Sequence, residues 1–239
     1  MNRYIRHISL PEIGEEGQRK LSSAKVALIG AGGLGSPALY SLASAGVGNI
    51  HIIDYDKVDV SNLNRQFIHF QADIGRMKAQ SAKEKLERYN PTIQINTSAT
   101  KLGDDNIHAL IANTDLVLSC VDNKETRYLL NSASVKSGTA LVDAGVQGFY
   151  GYVLVVDPGV TPCYECIFPR AAQARTQAEE SPPVLGAVTS VLGSMMALEA
   201  IRHIVGIPAQ THFYYVDMLT CQITPIAAIH NSHCSTCGM

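Results

Sequence analysis

The sequence carries no surplus of either charge. Nineteen lysines and arginines stand against 21 aspartates and glutamates, a formal net charge of −2 over 239 residues. That balance excludes a general attraction to nucleic acid or to an anionic membrane, so any basic function has to be local. The opening "MNRYIRHISL" lacks the apolar run of a secretory signal, and a cytoplasmic location is expected. Internal repeats and low-complexity tracts are also missing. The most apolar stretch, 184–200, contains Glu199 and runs into Arg202 and His203. It is short for a membrane span and reads as a buried helix, so no membrane partner is expected. Six cysteines in a cytosolic chain argue against a disulfide framework.

What is present is a globular composition, 46% hydrophobic and 17% charged, long enough for one large α/β domain. Strand "KVALIG" leads to a helix over about 33–45, and "GVG" turns into strand "NIHIIDYD". The alternation continues through helix "KAQSAKEKLERYN", strand "IQINTSAT", helix "DDNIHALIAN", strand "DLVLSCV", helix "KETRYLLNSASVKSG" and strand "TALVDAGV". A polar helix is expected before them over 12–22. Strands and helices alternating in this way imply right-handed crossovers and a Rossmann-like, mostly parallel sheet flanked by helices. After residue 145 "GYVLVVDPG" and "FYYVDMLTCQITPIAAI" predict antiparallel additions. The polar stretch around 170–183 reads as a surface loop, and the helix that follows, about 184–205, is apolar on most faces and needs a cover from core or a partner chain. We read 1–239 as one domain, with nucleotide binding in about 1–145 and a second part in about 146–239.

"ALIGAGGLGSPAL" runs a strand through Gly30, Gly32, Gly33 and Gly35 into a helix. Such a turn lets backbone approach phosphate, and the helix N-terminus offers it free N–H groups. Most chains carrying it bind a nicotinamide or flavin dinucleotide. Asp54, about 20 residues on at the end of the second strand, stands where a ribose-binding acid belongs. The next segment points elsewhere: "SNLNRQF" supplies Ser61, Asn62, Asn64, Arg65 and Gln66, and "IGRMKAQ" adds Lys78. Hydride transfer needs a flat apolar slot, whereas nucleotidyl transfer needs cations where charge builds on phosphate oxygens.

"RYIRHI", "GAGGLGS", "ASAGVG", "SNLNRQ", "DIGRMKAQSA", "CVDN", "CYEC", "ALEAI" and "CSTCG" follow the order and spacing of the MoeB/ThiF/HesA family, which this chain resembles from Arg3 to Gly238. The resemblance implies an ATP-dependent adenylyltransferase. ATP and the C-terminal glycine carboxylate of a ubiquitin-like sulfur-carrier protein would give an acyl-adenylate and pyrophosphate, serving molybdopterin or thiamin synthesis. By the same resemblance Gly32, Gly33 and Gly35 form the phosphate turn and Asp54 holds the ribose. Asn62, Arg65 and Lys78 hold the triphosphate, with Asp56, Asn64 and Gln66 completing the nucleotide site. Asp122 positions Mg2+ beside Asn123, and Arg6 reaches across a homodimer to the partner's triphosphate. Activation of another peptide or carrier C-terminus, and a non-catalytic scaffold for a ubiquitin-like partner, are the alternatives.

Four cysteines form two C-x₂-C pairs, Cys163 with Cys166 and Cys234 with Cys237. Two such knuckles make a tetrahedral thiolate site for structural Zn2+, stapling the tail to the body. Cys120 and Cys221 lie in apolar segments and are expected to be buried, inert thiols. The loop 170–183, where family members with a reactive cysteine carry it, contains none. Adenylation alone, with sulfur coming from a separate donor protein and no sulfurtransferase domain attached, is therefore expected.

Overall fold

The structure is a computed structural model that describes residues 3–170 and 183–238. The loop expected over 170–183 lies almost wholly outside the described residues. One eight-stranded sheet organises the chain: β1 (Lys25–Ile29), β2 (Asn49–Ile53), β3 (Gln94–Ser98), β4 (Leu116–Ser119), β5 (Ala140–Gln147), β6 (Tyr150–Val156), β7 (His212–Asp217) and β8 (Gln222–Ala227). Their spatial order is β3-β2-β1-β4-β5-β6-β7-β8. The first five strands pair in parallel and the last three add antiparallel. Because β1 lies between β2 and β4, the chain reverses its winding there, and a crevice opens beyond the C-terminal ends of β1 and β4.

The helices are α1 (Ile5–Ile8), α2 (Gly14–Ser23), α3 (Gly35–Ala45), α4 (Lys78–Tyr89), α5 (Ile107–Leu110), α6 (Lys124–Ser137), α7 (Tyr164–Ile167) and α8 (Gly186–Val205). Alternation along β1 splits the core in two. Val26 and Leu28 face the layer of α2, α3, α4 and α8, while Ala27 and Ile29 face the layer of α6 and α7. In α3 the buried Ala38, Leu39, Leu42 and Ala43 recur at helical spacing, and left-handed Gly46 (φ +80°) ends it.

The helix expected over 104–113 shrinks to the single turn of α5. The Asn106 side chain accepts from Gly103 N at 3.0 Å and donates to Lys101 O at 2.9 Å, and Asn113 takes φ +58°, so both flanks are held as turns. Helix α8 is about 30 Å long. Among the described residues it alone is long and apolar enough to cross a membrane, yet Leu192, Met196, Ala197 and Ala200 on its inner side are buried in the core. Its outer side shows Val191 at 37% and Leu198 at 54% exposure, an apolar stripe without cover in the single chain.

Candidate active site

The glycine turn leaves β1 at Gly30, whose φ of +96° suits glycine. A Cβ there would come within 2.6 Å of the Cys120 carbonyl oxygen, so a larger residue would push β4 off β1. Gly32 faces the Gln66 side chain, Gly33 faces Thr189 of α8, and Gly35 opens α3. Asp54, at the end of β2, sends Oδ2 to Ala31 N at 2.7 Å and Oδ1 to Asp56 N at 2.8 Å. Burial raises its pKa, and those two N–H donors, then Lys78, pull the other way. The acid therefore anchors the turn. His69, which the sequence reading did not single out, grips the same turn at Ala31 O, 2.9 Å from its Nε2.

One cation, Lys78, lies beside Asp54 and Asp56. Lys78 is the first residue of α4, a position where the helix dipole disfavours positive charge. Its side chain is only 8% exposed, and Nζ lies 3.0 Å from Asp56 Oδ2. A buried lysine at a helix start, held by one half-exposed carboxylate, breaks a local rule in the way functional sites do. Arg65 Nη1 donates to Ser61 O at 2.9 Å and to Asn64 Oδ1 at 3.1 Å, which orders the guanidinium over the segment that carries it. Asn62 Oδ1 accepts from Asp59 N at 3.2 Å and folds that segment into a tight turn. Gln66 is buried, and its Oε1 has no partner among the described residues.

Across the crevice, β4 is followed by Cys120, Val121 and Asp122. Asp122 is exposed. The Tyr55 hydroxyl is pushed up by burial and then by the negative charges of Asp56, Asp122 and Asp54. Asn123 is the N-cap of α6, its Oδ1 accepting from Thr126 N at 2.9 Å. Behind Asp122, buried Arg127 donates to Val121 O at 2.6 Å, to Asp143 Oδ2 at 2.7 Å, to Ala144 O and to the Tyr152 hydroxyl. This pinning of the strand end was not legible in sequence.

Arg6 is exposed on α1 and, among the described residues, makes no hydrogen bond or ion pair with its own chain's site. Tyr4 packs against Gly46, and its hydroxyl accepts from Asn90 Nδ2 at 2.9 Å; Gly46 and Asn90 cap the C-terminal ends of α3 and α4. The glycine turn sits at the other end of α3, about 16 Å away for 11 residues. Cys221 is also not where expected. It is exposed at φ +55° in the β7–β8 turn, because Asp217 Oδ1 accepts from Leu219 N and Thr220 N and bends the chain before a buried strand can continue. Cys120 is buried, and burial pushes its thiol far up.

The Sγ atoms of Cys163, Cys166, Cys234 and Cys237 all lie within 4.8 Å of one another. Three of the separations are 3.9, 3.5 and 3.3 Å. A Zn–S bond of about 2.3 Å gives tetrahedral edges of about 3.8 Å, so the donor set fits a four-thiolate metal ion with little movement. Asn231 N approaches Cys166 Sγ at 3.5 Å, as outer partners of such ligands do. A second tie that the spacing did not reveal is Glu165, whose carboxylate accepts from Ser235 Oγ at 2.9 Å and Thr236 Oγ1 at 2.5 Å.

Sheet order and glycine turn together define a doubly wound, Rossmann-like α/β domain. A profile of the ThiF family matches residues 4–237, and the chain belongs to that family. It is 42% identical to the adenylyltransferase and sulfurtransferase MOCS3 of Culex quinquefasciatus, over 85% of this chain and 47% of that protein. Its identity to the sulfur carrier protein adenylyltransferase of Thermus thermophilus is 35%, over 100% of this chain and 91% of that one. The chain thus spans about half the length of the MOCS3 relatives and nearly all of the Thermus one. Among solved structures, E. coli MccB with ATP superposes with a TM-score of 0.85 at 24% identity, covering 100% of this chain and 75% of the other. That likeness speaks for the fold alone.

Proposed function

We propose that this chain is an ATP-dependent adenylyltransferase that activates the C-terminal glycine carboxylate of a ubiquitin-like sulfur carrier. The observation that carries the reading is a buried Lys78 paired with Asp56 at 3.0 Å, beside a glycine turn that Asp54 holds. The names of the relatives, sulfur carrier protein adenylyltransferase among them, support it. In the reaction a carboxylate oxygen of the carrier attacks the α-phosphorus, the bond to the bridging oxygen breaks, and pyrophosphate leaves. Both reactants are anionic, so the approach requires cations on the phosphates. Lys78, Arg65 and Asn62 take the triphosphate, Asp54 the ribose, and the N–H groups of the turn the phosphate oxygens. Mg2+, held by Asp122, would neutralise charge on the triphosphate.

Arg6, remote from its own turn, acts on the partner subunit's triphosphate, with the apolar outer stripe of α8 at the homodimer contact. Zn2+ at the four cysteines is structural, since no coordination position stays open. Sulfur comes from a separate donor, and the activated carrier serves molybdopterin or thiamin synthesis in the cytoplasm.

ATP–pyrophosphate exchange with a purified ubiquitin-like carrier ending in glycine tests the proposal. Carrier-dependent exchange is expected, and Asp122→Ala should lower it on the order of 100-fold while folding is retained. Calorimetric binding of NAD in preference to ATP would overturn it.

A further inference from the structure

Two consecutive peptides of the glycine turn are gripped from opposite sides. The Gly30–Ala31 peptide gives its N–H to Asp54 Oδ2 at 2.7 Å. The Ala31–Gly32 peptide gives its carbonyl oxygen to His69 at 2.9 Å. A carbonyl oxygen only accepts, so His69 must carry its proton on Nε2. Nδ1 is then an acceptor, and the Ser81 hydroxyl sits 2.9 Å from it as donor. Ser81 Oγ accepts in turn from Lys85 Nζ at 2.7 Å, and Lys85 pairs with Asp73 Oδ2 at 2.5 Å. His69 is 3% exposed, and Ser81 and Asp73 are also buried. In a trans peptide the C=O and N–H point in opposite directions. Fixing the Ala31 carbonyl towards His69 therefore fixes the Gly32 N–H pointing away from it.

We propose that His69 is a positioning residue of the phosphate-binding turn, a neutral Nε2–H imidazole that sets the direction of the Gly32 N–H. Its partners on α4 hold the tautomer, so the chain Asp73–Lys85–Ser81–His69 transmits the placement of that helix to the turn. Burial lowers the pKa of His69 to about 4, with Lys85 and Lys78 adding to the effect and the Ala31 carbonyl and Asp73 opposing it. The imidazole therefore stays neutral at working pH. Gln66 borders the same turn at Gly32 but reaches neither oxygen of this relay.

The inference rests on the proposed function for its nucleotide arm, and two other arms are independent of it. In full-length unliganded protein, His69→Leu and His69→Asn should speed hydrogen exchange at the amides of 31–35 by about tenfold, the loss of one buried hydrogen bond. His69→Gln should restore protection, because a glutamine amide reaches the Nε2 position, whereas asparagine reaches only the position of Nδ1. Calorimetry with Mg–ATP should show the same order, about tenfold weaker for Leu and Asn and near wild type for Gln. In wild-type protein, ¹⁵N spectra should give His69 as the neutral Nε2–H tautomer from pH 6 to 8. An imidazolium signal in that range, or Gln no better protected than Leu, would overturn the proposal. Should wild-type protein bind no ATP, the proposed function fails while exchange and tautomer still decide the role of His69.

Discussion

Gly193 lies in the middle of α8, where an alanine would ordinarily add about 1 kcal/mol of helix stability. The packing reverses that sign. A Cβ at 193 would lie 2.2 Å from the Leu34 carbonyl oxygen and 2.5 Å from Pro37 Cγ, against an ordinary contact of 3.4 Å or more. Helix α8 would have to retreat about 1 Å from α3, loosening Leu192, Met196 and Ala197 against the core, and overpacking of that kind costs roughly 1–3 kcal/mol. A net loss of up to about 2 kcal/mol remains for Gly193→Ala, a fall in Tm of up to about 8 °C for a chain of this size. Leu34 is the N-cap of α3 and belongs to the glycine turn, so Mg–ATP affinity should fall as well. Lys136→Ala, exposed near the end of α6 and away from this contact, supplies the control and should stay within about 0.5 kcal/mol of wild type. Calorimetric melting of both variants, with ATP titrations, reads the result. A Gly193→Ala protein melting at or above wild type with unchanged affinity would refute the close-approach argument.

Metal analysis of purified protein should find one zinc per chain, and Cys234→Ala should lower stability more than it lowers exchange activity in the remaining folded protein, because a closed thiolate site supports folding. Mixing Arg6→Ala with Asp122→Ala subunits should recover activity in heterodimers, where one site keeps both groups; no recovery after verified subunit exchange would take Arg6 out of catalysis in trans. Brief alkylation of the metal-loaded protein should label Cys221 and spare buried Cys120. With ATP and a carrier, a thiol-sensitive enzyme–carrier adduct lost in Cys221→Ser would replace simple adenylation by a covalent step, and none is expected.

The parts legible in sequence are those whose signal is local. Periodicity and glycine spacing sufficed for β1, α3 and the turn between them, and two C-x₂-C pairs predicted a cluster that closes over an interval of 71 residues. Lys78 was visible as a charged residue beyond the acid that follows the glycine turn, and it pairs with Asp56. His69 and Arg127 were not, since each acts on a backbone carbonyl of another element, Ala31 and Val121, and no pattern of side chains marks a carbonyl that needs a donor. Cys221 misled because "MLTCQIT" has strand composition, while the turn is made by Asp217 accepting from the backbone, with neither glycine nor proline to signal it.

Strand β8 is exposed at every residue and, among the described residues, has a neighbour on one side only, so taken alone it is the strand most easily peeled from the sheet. Seven residues after it comes Cys234, joined through the sulfur cluster to the segment that follows β6. Tension on the tail beyond the cluster would be carried through metal–sulfur bonds into Cys163 and Cys166, bypassing the hydrogen bonds of β7 and β8. A partner that docks on this edge and pulls against it would meet a strand anchored at both ends, one that yields in shear, with many bonds loaded at once, instead of unzipping one bond at a time.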